Sequence, residues 1–200
     1  MPLLQCLYLV RHGETAWSLT GQHTGRTDIP LTEKGEADAR KLVRRLHAVT
    51  FNRVFTSPRQ RARRTAELAA LNRPAEIEPD LAEWDYGDYE GLRTGEINVT
   101  KPDWNIFRDG CPHGESPEQV SSRADRVISR LRTLEGDIAV FSHGHFGGVL
   151  AVRWIGLGIE QAQKFLLGTA SLGILGHGHD RADEPAIHLW NAPPDETFLD

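Results

Sequence analysis

The sequence predicts an α/β protein built on an open sheet, and three observations carry that prediction. Leu7-Tyr8-Leu9-Val10 and Ile138-Ala139-Val140-Phe141 are uninterrupted four-residue apolar runs, which read as short strands buried on both faces. Amphipathic helical patterns with start signals lie between the strand-like runs. Both apolar runs break into a His-Gly pair, His12-Gly13 and His143-Gly144, and ligands of open α/β sheets bind just beyond the carboxyl ends of strands. Two such strands lying side by side bring two imidazoles to one sheet edge, and the glycine after each permits a turn that a Cβ would hinder.

Taken in order, the stretch from Trp17 to Pro30 reads as a loop because it holds Gly21, Gly25, Asp28 and Pro30. Within it, Thr24 and Gly25 offer a hydroxyl and a backbone N–H to an anion. A helix follows with Thr32 as N-cap and Ala39, Leu42, Val43 and Leu46 as its apolar stripe, leaving Arg40, Lys41, Arg44 and Arg45 as a solvated face. Arg53 to Thr56 reads as a second strand. Ser57-Pro58-Arg59-Gln60 reads as a capping box with Ser57 at the N-cap. Arg59, Arg61, Arg63 and Arg64 crowd the start of this helix, where the backbone already carries partial positive charge. A phosphate site explains such crowding, although solvated surface arginines account for Arg63 or Arg64.

Ala75 to Glu78 is an edge-strand candidate. From Leu81 to Gly91, four acids and three aromatics share one short stretch. A carboxyl desolvated by Trp84 and Tyr86 has the makings of a general acid, and composition leaves Glu83, Asp85, Asp88 and Glu90 all open. Lys101 to Gly114 reads as a loop with Trp104, Phe107 and Arg108, either a cover over a pocket or a plain surface insertion. Ser116-Pro117-Glu118-Gln119 is a second capping box, opening a helix with Val120, Ala124, Val127, Ile128, Leu131 and Leu134 on one face. Phe146 to Leu157 is a buried helix, and Ser171 to Gly176 and Pro185 to Leu189 are further edge strands. His177, His179 and His188 read as structural or superficial, and the tail from Pro193 to Asp200 as frayed.

Two hundred residues suit a single domain over 1–200, long enough for a substantial core. A net charge of −5 argues against a nucleic-acid partner. Cys6 and Cys111 form neither a disulfide framework nor a metal cluster, so no metal and no cofactor are expected and a reducing compartment is the default. No run approaches a membrane span, and the N-terminus lacks a signal-peptide pattern. The expectation is a cytoplasmic protein without a membrane partner, with a homo-oligomer left open.

Two strand-end histidines, arginines beside them and an acidic-aromatic loop together suit a dianionic group, a nucleophile and a proton donor. A neutral imidazole attacks phosphorus once cations neutralise the phosphoryl oxygens, and a carboxylic acid protonates the leaving alkoxide.

Leu9-Val10-Arg11-His12-Gly13-Glu14-Thr15 resembles the signature of the histidine phosphatase superfamily, the phosphoglycerate-mutase-like family. The resemblance continues through Thr24-Gly25, Leu31-Thr32, Gly35, Ser57-Pro58-Arg59-Gln60-Arg61-Ala62, Glu83, Tyr86-Gly87, Gly91, Gly114-Glu115 and Ser142-His143-Gly144. It implies a three-layer, doubly wound α/β/α fold with a mostly parallel sheet and no metal. It implies His12 as the phosphorylated nucleophile, Arg11, Arg61 and His143 as phosphoryl ligands, and Glu83 as general acid and base. Stretches around Trp17-Ser18, Glu83 to Gly91 and Trp104 to Cys111 resemble the sedoheptulose-1,7-bisphosphatase-type branch. That likeness adds Arg59, Ser18, Thr24, Gly25, His145 and Arg108 as substrate contacts. Glu83-Trp84-Asp85-Tyr86-Gly87 departs from the Glu-Arg-His-Tyr-Gly of cofactor-dependent phosphoglycerate mutases and favours net hydrolysis. The expected activity is therefore a metal-independent phosphatase for phosphomonoesters of sugars or small metabolites. A mutase-type phosphotransferase and a non-catalytic phosphate-binding module are the alternatives.

Overall fold

The computed structural model describes residues 5–178, 181 and 183–195. In chain order its elements are β1 (Leu7–Arg11), α1 (Ala16–Thr20), α2 (Glu33–Lys41), α3 (Val43–Leu46), β2 (Arg53–Thr56), α4 (Gln60–Leu68) and β3 (Glu76–Ile77). There follow α5 (Thr94–Thr100), α6 (Ile106–Asp109), α7 (Pro117–Leu131), β4 (Ile138–Ser142), α8 (Gly144–Trp154), β5 (Leu172–His177) and β6 (Pro185–Ala192). His179 and residues 196–200 of the tail lie outside the described residues.

The six strands form one sheet in the order β3-β2-β4-β1-β5-β6. The first four are mutually parallel, and β5 and β6 add on antiparallel. Side chains alternate across the pleat. Leu7, Leu9, Ile138 and Val140 pack into one core with α7 and α8. Val10, Ala139 and Phe141 pack into a second with Leu42, Leu46 and Ala66 from the α2–α4 side. Helices thus cover both faces, giving three layers, and this explains why the β1 and β4 runs are apolar without alternation.

Thr32 and Ser116 cap their helices, accepting from Gly35 N and Gln119 N at 3.0 and 3.3 Å. Several expectations need correction. Trp17 to Thr20 is helical, because Thr15 and Ser18 close a capping box at the start of α1 (Ser18 N to Thr15 Oγ1, 3.1 Å). The stripe ending at Leu46 divides at Leu42 into α2 and α3. Arg45 is buried and donates from Nε to Pro193 O at 2.6 Å, so it leaves the solvated face. Ser57 does not cap α4. That helix starts at Gln60, whose N–H donates to Asp28 Oδ1 at 2.8 Å, so the cap comes from a distant loop. The segment 101–114 contains the short helix α6, and α5 precedes it where no helix is predicted. The strand at 172–177 is interior, between β1 and β6.

Candidate active site

Strand register places the two imidazoles together. Arg11 pairs with Ser142 across β1 and β4, so His12 and His143 each stand one residue past the last pair, and His12 N donates to Ser142 O at 3.0 Å. Their ring centroids are 5.2 Å apart. On the other side of β4, Thr56 pairs with Phe141, which sets Ser57 beside His143, with Ser57 Oγ 2.7 Å from His143 Nε2.

His12 Nδ1 lies 2.7 Å from its acceptor, Gly13 O. A carbonyl only accepts, so Nδ1 carries the proton and Nε2 keeps its lone pair. Burial first, then the charges of Arg11 and Arg61, hold the His12 pKa well below the usual imidazole range. His143 is pushed the same way, by burial and then by Arg61. Both rings are therefore neutral near pH 7.

The glycines after the two histidines serve close approach, since neither has a positive φ. A Cβ on Gly13 would stand 2.5 Å from Gly35 O in α2, and one on Gly144 would stand 3.2 Å from Cζ of Arg11.

Arg61, fully buried on the first turn of α4, donates to Thr27 O at 3.0 Å, Thr24 O at 2.8 Å and Gly25 O at 3.2 Å. Arg63 and Arg64 point outward, and Arg64 pairs with Glu36 and Glu67. The Arg11 guanidinium donates to Leu167 O. Among the described residues, six buried side-chain nitrogen or oxygen atoms lack a hydrogen-bond partner. Four of them are Arg11 Nε, Arg59 Nε, Arg61 Nε and His143 Nδ1. Unpaired buried polar atoms are costly and rare, so those of Arg11, Arg61 and His143, gathered around His12, mark a place prepared for an anion.

The four acids that composition leaves open are sorted by their partners. Glu83 is buried and lines a cavity of about 250 Å³ with Arg11, His12 and His145. Its carboxylate accepts from Trp84 N at 2.9 Å, Phe146 N at 2.8 Å and His145 N at 3.1 Å, the last two from the first turn of α8. Asp85 pairs with Arg26 and Asp88 with His113. Glu90 clamps Gly25 N and Thr27 N, both at 2.9 Å. Arg123 of α7 fixes the backbone of this stretch. It donates to Asp80 O, Ala82 O and Glu83 O and pairs with Glu115, whose carbonyl accepts from the Trp84 indole.

Of the six substrate contacts expected, Ser18, Thr24 and His145 line the cavity. Gly25 does not, because its N–H is taken by Glu90 and its carbonyl by Arg61, so it braces the site. Arg59 precedes α4, half-buried and outside the cavity lining. Arg108 is exposed and bound to Asp109 and to Asp103 O, which removes it from the site. The sequence reading misses His23 and Gln22 and the wall formed by Phe165, Leu166 and Leu167. His23 stacks on Tyr86 with centroids 4.8 Å apart, and burial, then His145, pushes its pKa down to about 4. Tyr86 in turn lies 2.7 Å through its hydroxyl from His145 Nδ1. No local pattern points to His23, whose ring meets Tyr86 and Trp104 far along the chain, and the apolar residues at 165–167 resemble ordinary core. Among the described residues no cluster of three or more His, Cys, Asp or Glu is arranged to hold a metal ion.

A mostly parallel α/β sheet with two neutral imidazoles at its strand ends, and two buried guanidinium groups and a buried carboxyl group beside them, defines a phosphoryl-handling enzyme. A model of the histidine phosphatase superfamily (branch 1) matches residues 7–193, and the chain belongs to that family. An acid phosphatase of Mycobacterium tuberculosis is 43% identical over 191 residues, with 94% of each chain covered. A sedoheptulose 1,7-bisphosphatase of Saccharomyces cerevisiae is 36% identical over 269 aligned positions, covering 98% of this chain and 97% of that protein. Among solved structures, an open reading frame product of M. tuberculosis superposes with a TM-score of 0.89 at 38% identity, covering 95% of this chain and 98% of its own. The chain is thus an enzyme of the phosphomonoester-hydrolysing type. Among its described residues no helix is long and apolar enough to cross a membrane.

Proposed function

We propose that this phosphatase works through a phosphohistidine on His12 and acts on small phosphorylated metabolites. The observation that carries this reading is the meeting of His12, Arg11, Arg61 and His143 around unpaired buried nitrogens. In the first step Nε2 of His12 attacks phosphorus and the bond from phosphorus to the leaving alkoxide breaks. Glu83 gives its proton to that oxygen. The guanidinium groups of Arg11 and Arg61 take up charge on the phosphoryl oxygens. In the second step water attacks the phosphohistidine, Glu83 takes a proton from it, inorganic phosphate leaves and His12 is regenerated. Both curated relatives named above are phosphatases, which supports hydrolysis over transfer. The yeast relative's name supports sugar phosphates among the substrates. Cys6 and Cys111 are free thiols, which supports a cytoplasmic setting.

The test supplies a panel of phosphomonoesters and follows free phosphate and acid-labile phosphoenzyme. The wild type releases phosphate without a bisphosphoglycerate primer, and His12→Ala yields neither phosphate nor phosphoenzyme. An isomerised phosphate ester with no free phosphate would instead establish the transferase.

A further inference from the structure

The residues lining the cavity divide by chemistry. Arg11, His12, Glu83 and His145 form its reacting end, Ser18, Gln22, His23, Thr24 and Tyr86 a second polar stretch, and Phe107, Ala162, Phe165, Leu166 and Leu167 an apolar wall. Among the described lining residues Arg11 is the one guanidinium or ammonium group and Glu83 the one carboxyl group, and the proposed reaction uses both. The nearby cations are turned elsewhere. Arg108 is bound to Asp109, and Arg26 is 74% exposed and paired with Asp85 at 2.8 Å. Among the described residues no further guanidinium or ammonium group lines the cavity to receive a second phosphate, and Arg59, at the start of α4, lies outside the lining. The wall is also anchored. Arg11 donates to Leu167 O, and the Trp190 indole donates to Leu166 O at 2.9 Å, while the Leu166 residue is 72% exposed at the rim. The guanidinium proposed to hold the phosphoryl group therefore also fixes the apolar wall relative to it.

From this arrangement we infer that the enzyme prefers a single phosphate on an aryl or alkyl alcohol over a sugar bisphosphate. The inference rests on the phosphatase reading and narrows it. An apolar leaving group buries against the wall, whereas a second phosphate meets Phe and Leu side chains and has no cation to compensate its lost hydration. The yeast bisphosphatase does not contradict this. Its alignment runs over 269 positions and this chain has 200 residues, so that protein carries long segments with no counterpart here.

The experiment compares kcat/KM for phosphate release from 2-phenylethyl phosphate, glycerol 3-phosphate and sedoheptulose 1,7-bisphosphate, all with primary alcohol leaving groups. 2-Phenylethyl phosphate is expected to lead by about tenfold or more, the scale on which apolar pockets discriminate. Leu166→Gln, a substitution at the exposed rim, lowers that lead at least threefold, with glycerol 3-phosphate as internal reference. Preference for the bisphosphate, or a lead that Leu166→Gln leaves intact, overturns the inference while the phosphatase reading stands. No phosphate and no phosphoenzyme from any of the three overturns both.

Discussion

Nε2 of His143 and Oγ of Ser57 lie 2.7 Å apart, joining the ends of the neighbouring parallel strands β4 and β2. Ser57 therefore sets the orientation of a buried imidazole whose other nitrogen is unpaired. Ser57→Ala leaves both ring nitrogens without a partner, a loss on the order of 1–3 kcal/mol. Because the ring sits in the proposed phosphoryl site, kcat/KM is expected to fall about tenfold, with Ser57→Thr restoring part of it. Steady-state kinetics beside a thermal melt check this, and unchanged kinetics would show that Ser57 does not orient the ring.

Glu83 accepts three backbone N–H groups. Glu83→Gln keeps the shape, but one amide end turns a donor toward a donor. Turnover is expected to drop by roughly 10²–10⁴, the range for a lost general acid. Phosphoenzyme should still form from an aryl phosphate whose leaving group needs no proton. Rapid-quench trapping reads both, and wild-type turnover would reassign the proton donor.

The two glycines should respond differently to alanine. In Gly13→Ala the new methyl meets the backbone of Gly35, so the α2–β1 packing must give way at a cost of roughly 1–3 kcal/mol or more. In Gly144→Ala it meets the end of the Arg11 side chain at 3.2 Å. That variant should melt near the wild type yet lose about tenfold in kcat/KM, since a displaced guanidinium misaligns the phosphoryl group. Parallel melts and kinetics distinguish them, and equal losses of stability would contradict the packing argument.

His12, His23, His143 and His145 all have pKa values lowered chiefly by burial. The unfolded chain therefore binds more protons than the folded one below about pH 6.5. Stability is full above that pH and is lost as pH falls toward each folded value. For His23, which titrates at about 4, the loss is about 1.4 kcal/mol per pH unit between those limits. Urea unfolding at pH 7.5, 6 and 5 should show the decline, shallower in His23→Gln. The same lowering keeps His12 neutral in mild acid, so the acidic limb of kcat/KM should fall below pH 6.5. A limb at or above that value would mean that His12 is not the group it reports.

The sequence by itself determined the layered fold and the strand-end histidines. These depend on local rules: four apolar residues in a row make a strand buried on both faces, and Thr32 and Ser116 satisfy free N–H groups a few residues away. The charge rule for a helix start made the arginine cluster at 59–64 legible, and the family resemblance singled out Arg61. Composition left four acids open and the family resemblance named Glu83, but only the tertiary structure decided how that acid enters the cavity and which contacts reach it. Glu83 is fixed by N–H groups 62 and 63 residues further on, at the start of α8. Gly25 is turned away by Glu90, Arg108 by Asp109, and the wall at 165–167 by the Arg11 and Trp190 bonds. A loop side chain takes its direction from partners distant in the chain, and neither periodicity nor capping encodes those partners.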